Sequence, residues 1–70
     1  MSNGSRIVGE NIRKAAKQAG KSHLALSKEM GVSYMTFYRW VDGRAMMDYD
    51  KLIKLAKCLG VKVGYLFGEE

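Results

Sequence analysis

Glycines at positions 20, 31, 43, 60, 64 and 68, with no proline anywhere in 70 residues, divide this chain into segments of helical length. The segments repeat their apolar residues with a helical period, and none alternates apolar and polar residues for long enough to pair as a strand. An all-α, single-domain fold follows. A chain this short buries only about 60% of its unfolded surface, so its helices must pack efficiently. Cross-links cannot replace that packing, because Cys58 is the single cysteine and His23 the single histidine. A structural metal site takes about four such ligands, so neither a metal nor a cofactor is expected.

The first helix is expected from about Ile7 to Ala19. Ile7, Val8, Asn11, Ile12, Ala15, Ala16 and Ala19 share its apolar face, Arg13, Lys14 and Lys17 lie outside that face, and Gly20 ends the helix. Met1–Ser5, small and polar, reads as a flexible N-terminus, which leaves residues 6–68 as the folded domain. Ser22 is the expected N-cap of a second helix reaching Met30, with Leu24, Leu26, Ser27 and Met30 turned inward and Gly31 as its stop. Ser33 caps a third helix, Tyr34–Val41, which ends at Asp42-Gly43. Asp48 caps a fourth, with an apolar stripe of Tyr49, Leu52, Leu55, Ala56 and Leu59. A last turn, Lys62–Phe67, brings Leu66 and Phe67 to close the core. Cys58 reads as a small half-buried filler, and Trp40 as core.

The net charge of +5 is unevenly placed. Arg6, Arg13, Lys14, Lys17, Lys21, Lys28, Arg39 and Arg44 face only Glu10, Glu29 and Asp42 within residues 1–44, whereas the remainder is balanced. Such a basic field favours a polyanion such as nucleic acid. No apolar run approaches the roughly 20 residues that span a bilayer. A single thiol and no recognisable leader fit a cytoplasmic location. No catalytic constellation can be written from these residues, so an enzyme is not expected.

A helix, the turn Gly31-Val32-Ser33 and a second helix have the spacing of a helix-turn-helix, with glycine at the turn and Val32 between the helices. The segment Ser33-Tyr-Met-Thr-Phe-Tyr-Arg-Trp-Val-Asp-Gly43 resembles the G-V-S-x-x-T-I-S-R-W-E-N-G segment of the phage repressor and Cro helix-turn-helix family. Lys21-Ser22-His23 stands at that family's Leu-Ser-Gln entry to helix 2. Leu52-Ile-Lys-Leu-Ala-Lys-Cys-Leu-Gly-Val61 is similar to its fourth helix, and Tyr65-Leu66 to its closing turn. The chain departs from the pattern at His23, where the family has a phosphate-contacting glutamine. Tyr34 and Tyr38 also depart, in place of smaller polar residues, as does Met47 at the usual proline position, which implies a looser entry to helix 4.

The resemblance implies a compact five-helix bundle of the lambda repressor-like kind, which binds double-stranded DNA through its third helix. Tyr34, Met35, Tyr38 and Arg39 are then the base-contacting residues, and they form one strip of a helix. Arg39 can grip O6 and N7 of a guanine, and Met35 and the tyrosine rings can pack on thymine methyls. Phosphate contacts fall to Lys21, Ser22, His23, Ser33, Thr36 and Arg44. A transcriptional repressor acting by operator occupancy is the implied function. Useful specificity requires two copies on the half-sites of a palindromic operator, so a weak homodimer stabilised on DNA is expected. By family analogy its interface comprises Val61, Val63, Tyr65 and Phe67. Two other classes share this sequence pattern: an antitoxin that binds a toxin partner as well as DNA, and a module that binds only protein.

Overall fold

Three oxygen side chains determine where helices begin. In the computed structural model, which describes residues 4–69, Ser22 Oγ accepts from the Ala25 amide at 3.0 Å, Ser33 Oγ from Thr36 at 3.1 Å and Asp48 Oδ1 from Lys51 at 2.9 Å. Each cap satisfies an amide that the first turn leaves without an intrahelical partner. The helices are α1 (Gly4–Ala19), α2 (His23–Met30), α3 (Tyr34–Val41), α4 (Tyr49–Leu59) and α5 (Val63–Leu66). Among the described residues there is no strand. The order and bounds of α2, α3 and α4 match those expected from the sequence.

The turn between α2 and α3 depends on Gly31, whose φ of 74° lies in the left-handed region. That conformation lets the Gly31 amide donate to the Lys28 carbonyl at 3.1 Å and the Val32 amide to that of Ser27 at 3.0 Å. Val32, half-buried, packs against the core as the chain leaves this turn.

Val8, Ile12, Ala15 and Ala16 of α1 meet Leu26 and Met30 of α2, Phe37, Trp40 and Val41 of α3, Leu52, Leu55, Ala56 and Leu59 of α4, and Leu66 of α5. α1 packs on α3, α4 and α5, and α2 on α3 and α4. Two polar ties cross this arrangement: Asn11 Nδ2 donates to the Leu66 carbonyl at 3.1 Å, and Lys21 Nζ to that of Cys58 at 2.8 Å. Buried Ser27 donates its hydroxyl to the Leu24 carbonyl at 2.7 Å. No buried side-chain polar atom among the described residues lacks a partner.

The structure corrects several expectations. α1 already includes Gly4, three residues before Ile7, so Gly4 and Ser5 of the expected flexible end are helical; Met1–Asn3 lie outside the described residues. This first turn is held by the chain after α3, where Gly43 lies against the backbone and side chain of Arg6. Leu24 is 51% exposed and Tyr49 64% exposed, because each sits in the first turn of its helix, beyond the layer that the helix packs against. Ile7, Ala19 and Phe67 are also exposed. α5 is only four residues long, so Leu66 alone closes the core and Phe67 follows its last turn. Met47 supplies an unexpected core contact: it is buried just ahead of the Asp48 cap, so packing holds the entry to α4 despite the missing proline.

Candidate nucleic-acid interface

α3 is eight residues with two unlike sides. Phe37, Trp40 and Val41 are buried, and Phe37 and Trp40 meet edge to face with centroids 5.8 Å apart. The other side presents Tyr34, Met35, Tyr38 and Arg39 to solvent, Met35 at 60% exposure. All four expected base-facing residues therefore share one exposed strip. The Tyr34 and Tyr38 rings stack at 6.3 Å with an interplanar angle of 23°, so the two aromatic rings lie side by side on this strip. Arg39 takes part in none of the ion pairs among the described residues. Its guanidinium is available to a ligand, while its backbone carbonyl receives the amides of Arg44 and Ala45.

The six expected phosphate-contacting residues do not form one cluster. Ser22 and His23 stand together at the start of α2. Ser33 and Thr36 stand at the start of α3, where Ser33 Oγ donates to Thr36 Oγ1 at 3.0 Å, so the Thr36 hydroxyl keeps its own hydrogen for another acceptor. Arg44 lies beyond the far end of α3, its Nε 2.7 Å from Asp42 Oδ2, and its side chain is largely in solvent. Lys21 commits its amine to Glu29 Oε1 at 3.2 Å and to the Cys58 carbonyl. Two cations not assigned to phosphate from the sequence share a groove with Lys21 and His23. Arg13 and Lys17 of α1 line a groove of about 440 Å³ with Ser22, His23, Leu24 and Tyr34. The sequence signal was their exclusion from the apolar face of α1; what it lacked was the neighbour across the gap.

His23 packs its ring 5.7 Å from that of Phe37 at a tilt of 48°. This burial, and secondarily the nearby Arg13 guanidinium, hold its imidazole below the ordinary histidine value. The unfolded chain therefore binds this proton more readily than the fold does, and stability is lost as pH falls through the region just below about 6.5. The melting midpoint of the wild type is expected to drop more between about pH 7.5 and 5.5 than that of His23→Gln. The difference will be small because much of the ring stays in water, and parallel midpoints would contradict the assigned environment.

Val61, Val63 and Tyr65 are half-buried against the core, and Phe67 is exposed beside them in sequence. Burial, and then the neighbouring Glu29, push the Cys58 thiol up, which keeps it protonated and a poor nucleophile. Among the described residues no group of three histidine, cysteine or acidic side chains could hold a metal ion. No helix there is long and apolar enough to cross a membrane.

A family profile described as helix-turn-helix matches residues 12–66. Solved structures share the architecture. The solution structure of the SOS-response transcriptional repressor LexA from Eubacterium rectale superposes with a TM-score of 0.85 at 27% identity, over 94% of this chain and 70% of that one. The clp gene regulator ClgR from Corynebacterium glutamicum gives 0.86 at 20% identity, over 93% and 69%, a likeness of fold alone. Hydroxypropylphosphonic acid epoxidase from S. wedmorenis gives 0.88 at 24% identity over 96% of this chain, which spans only 36% of the epoxidase. A comparison with curated proteins finds no match.

Proposed function

The chain belongs to the helix-turn-helix family of the Cro/C1 type, and from that premise we propose that it is a DNA-binding transcriptional regulator that represses by occupying an operator. The observation that carries this reading is the two-sided α3: one side is locked into the core, and the other offers Tyr34, Met35, Tyr38 and Arg39 as a continuous exposed strip. A helix so held can enter a major groove about 12 Å wide without leaving its scaffold. Arg39 reads a guanine through a bidentate contact, and Met35 and the stacked tyrosines pack on thymine methyls. Ser22, His23, Ser33, Thr36 and Arg44 flank the strip and hold the phosphates that set its register.

The domain acts by binding and not by catalysis. Two copies occupy the halves of a palindromic operator, associating weakly through Val61, Val63, Tyr65 and Phe67 and more tightly on DNA. Phe67 is exposed and the other three are half-buried, which supports giving Phe67 the central place in that contact.

The test is selection of bound sequences from a random duplex pool at about 0.15 M salt, a concentration at which purely electrostatic binding is already weakened. Wild type and Arg39→Ala are run side by side. The wild type is expected to yield a palindromic consensus containing guanine, and the variant to lose that guanine preference with a penalty of about 1–3 kcal/mol. No consensus from the wild type, with affinity that vanishes as salt rises, would overturn the reading.

A further inference from the structure

We propose that Lys21 is a positioning residue: its amine ties the turn between α1 and α2 to the end of α4 and so fixes where Ser22 and His23 stand. The role rests on the DNA-binding reading above, and in it Lys21 itself does not contact DNA.

Lys21 is bonded to three helices at once. Its backbone amide donates to the Ala16 carbonyl at 3.0 Å and closes the last turn of α1. Its amine donates to Glu29 Oε1 of α2 at 3.2 Å and to the Cys58 carbonyl of α4 at 2.8 Å. The bond to Cys58 meets a need of α4, whose last carbonyls have no partner within the helix. The Ala56 carbonyl receives the Val61 amide and that of Lys57 the Gly60 amide, while Cys58 receives a side chain 37 positions away. A cation suits this place, because the partial charge at a helix C-terminus is negative. Glu29 closes the triangle by accepting from the Cys58 thiol as well as from the Lys21 amine. Two of the three amine hydrogens are therefore committed within the fold. The family pattern has leucine at this position, so the tie belongs to this chain.

At its exposure the Lys21–Glu29 ion pair adds little stability by itself. Its consequence is geometric. Ser22 and His23 follow Lys21 directly; Ser22 Oγ holds the Ala25 amide and the His23 ring lies against Phe37. The corner is thus held from two sides, by Phe37 of α3 and by the end of α4. Without the second anchor, Ser22 and His23 shift relative to the exposed strip of α3, and the two sets of DNA contacts lose their common register.

The test removes the tie with Lys21→Met/Glu29→Gln, which leaves the net charge unchanged. Hydrogen exchange of the Ala25 amide, referred to the Leu55 amide in α4, reads the Ser22 cap without DNA. Dissociation constants for the selected duplex are measured at pH 7.5 across a range of salt concentrations. The double variant is expected to exchange the Ala25 amide about tenfold faster and to bind roughly three- to tenfold more weakly. Lys21→Arg keeps the charge and the donors and holds wild-type exchange and affinity. Lys21→Met alone also binds more weakly but keeps the wild-type slope of log affinity against log salt, because Ser22 and a neutral His23 release no counterions. A slope flatter by about 0.9 would make Lys21 a phosphate contact and overturn the role. Unaltered affinity in the double variant also overturns it, whether or not the Ala25 amide exchanges faster, as does an arginine variant no tighter than the methionine one. In each of these cases DNA binding stands. A wild type that prefers no duplex overturns the DNA-binding reading and this role with it.

Discussion

Gly9→Ala is expected to lower stability by about 3 kcal/mol, moving the thermal midpoint down by roughly 10–25 °C for a domain of this size. In an ordinary helix interior the same substitution stabilises by nearly 1 kcal/mol, because alanine loses less backbone freedom on folding. The sign reverses here because Gly9 is buried where α1 crosses the end of α3. A methyl group would overlap the Val41 carbonyl oxygen and stand 2.8 Å from that of Trp40. Both obstacles are backbone, so no rotamer change can relieve them. α1 would have to move off α3, and the exposed strip of α3 would lose part of its support. A thermal melt followed by circular dichroism decides the matter. A variant that melts above the wild type would mean that the two helices do not approach so closely.

The second large effect is expected at Phe37. Phe37→Ala removes a fully buried ring at a cost of about 3–5 kcal/mol, against a total stability of about 4–10 kcal/mol for 70 residues. The variant should therefore lose roughly a third or more of its stability and melt far below the wild type. The loss reaches the interface because Phe37 contacts both Trp40 on its own helix and the His23 ring at the start of α2. One side chain thus sets the spacing between the exposed strip and the Ser22–His23 corner. Phe37→Leu keeps most of the apolar volume and should retain a cooperative melt at a lower midpoint. Denaturant unfolding of both variants checks this ordering. Equal midpoints for Phe37→Ala and the wild type would show that the ring is not shared packing.

Local signals were legible along the chain. Ser22, Ser33 and Asp48 are found as the caps expected of them, and Gly31 as the stop between the two helices of the motif. These depend on hydrogen bonds within four residues, which the sequence states directly. The exposed strip was equally legible, because 34, 35, 38 and 39 must share a side of any helix that buries 37, 40 and 41. Periodicity did less well at the ends of helices. Leu24, Tyr49 and Phe67 carry the right period yet lie outside the core, because period says which side a residue faces and not how far the opposing layer extends.

What the sequence determined by itself is therefore the helix order, the caps, the turn at Gly31 and the residues of the candidate reading strip. Tertiary structure decided what depends on a neighbour distant in the chain. It placed Gly9 under the end of α3, made Met47 a core residue, drew the Lys21 amine toward Glu29 and the Cys58 carbonyl, and set Arg13 and Lys17 across a groove from His23. The physical reason is range. Caps and turns form between atoms a few bonds apart, whereas these contacts join residues 6 to 37 positions apart, and their partners exist only after the helices have packed.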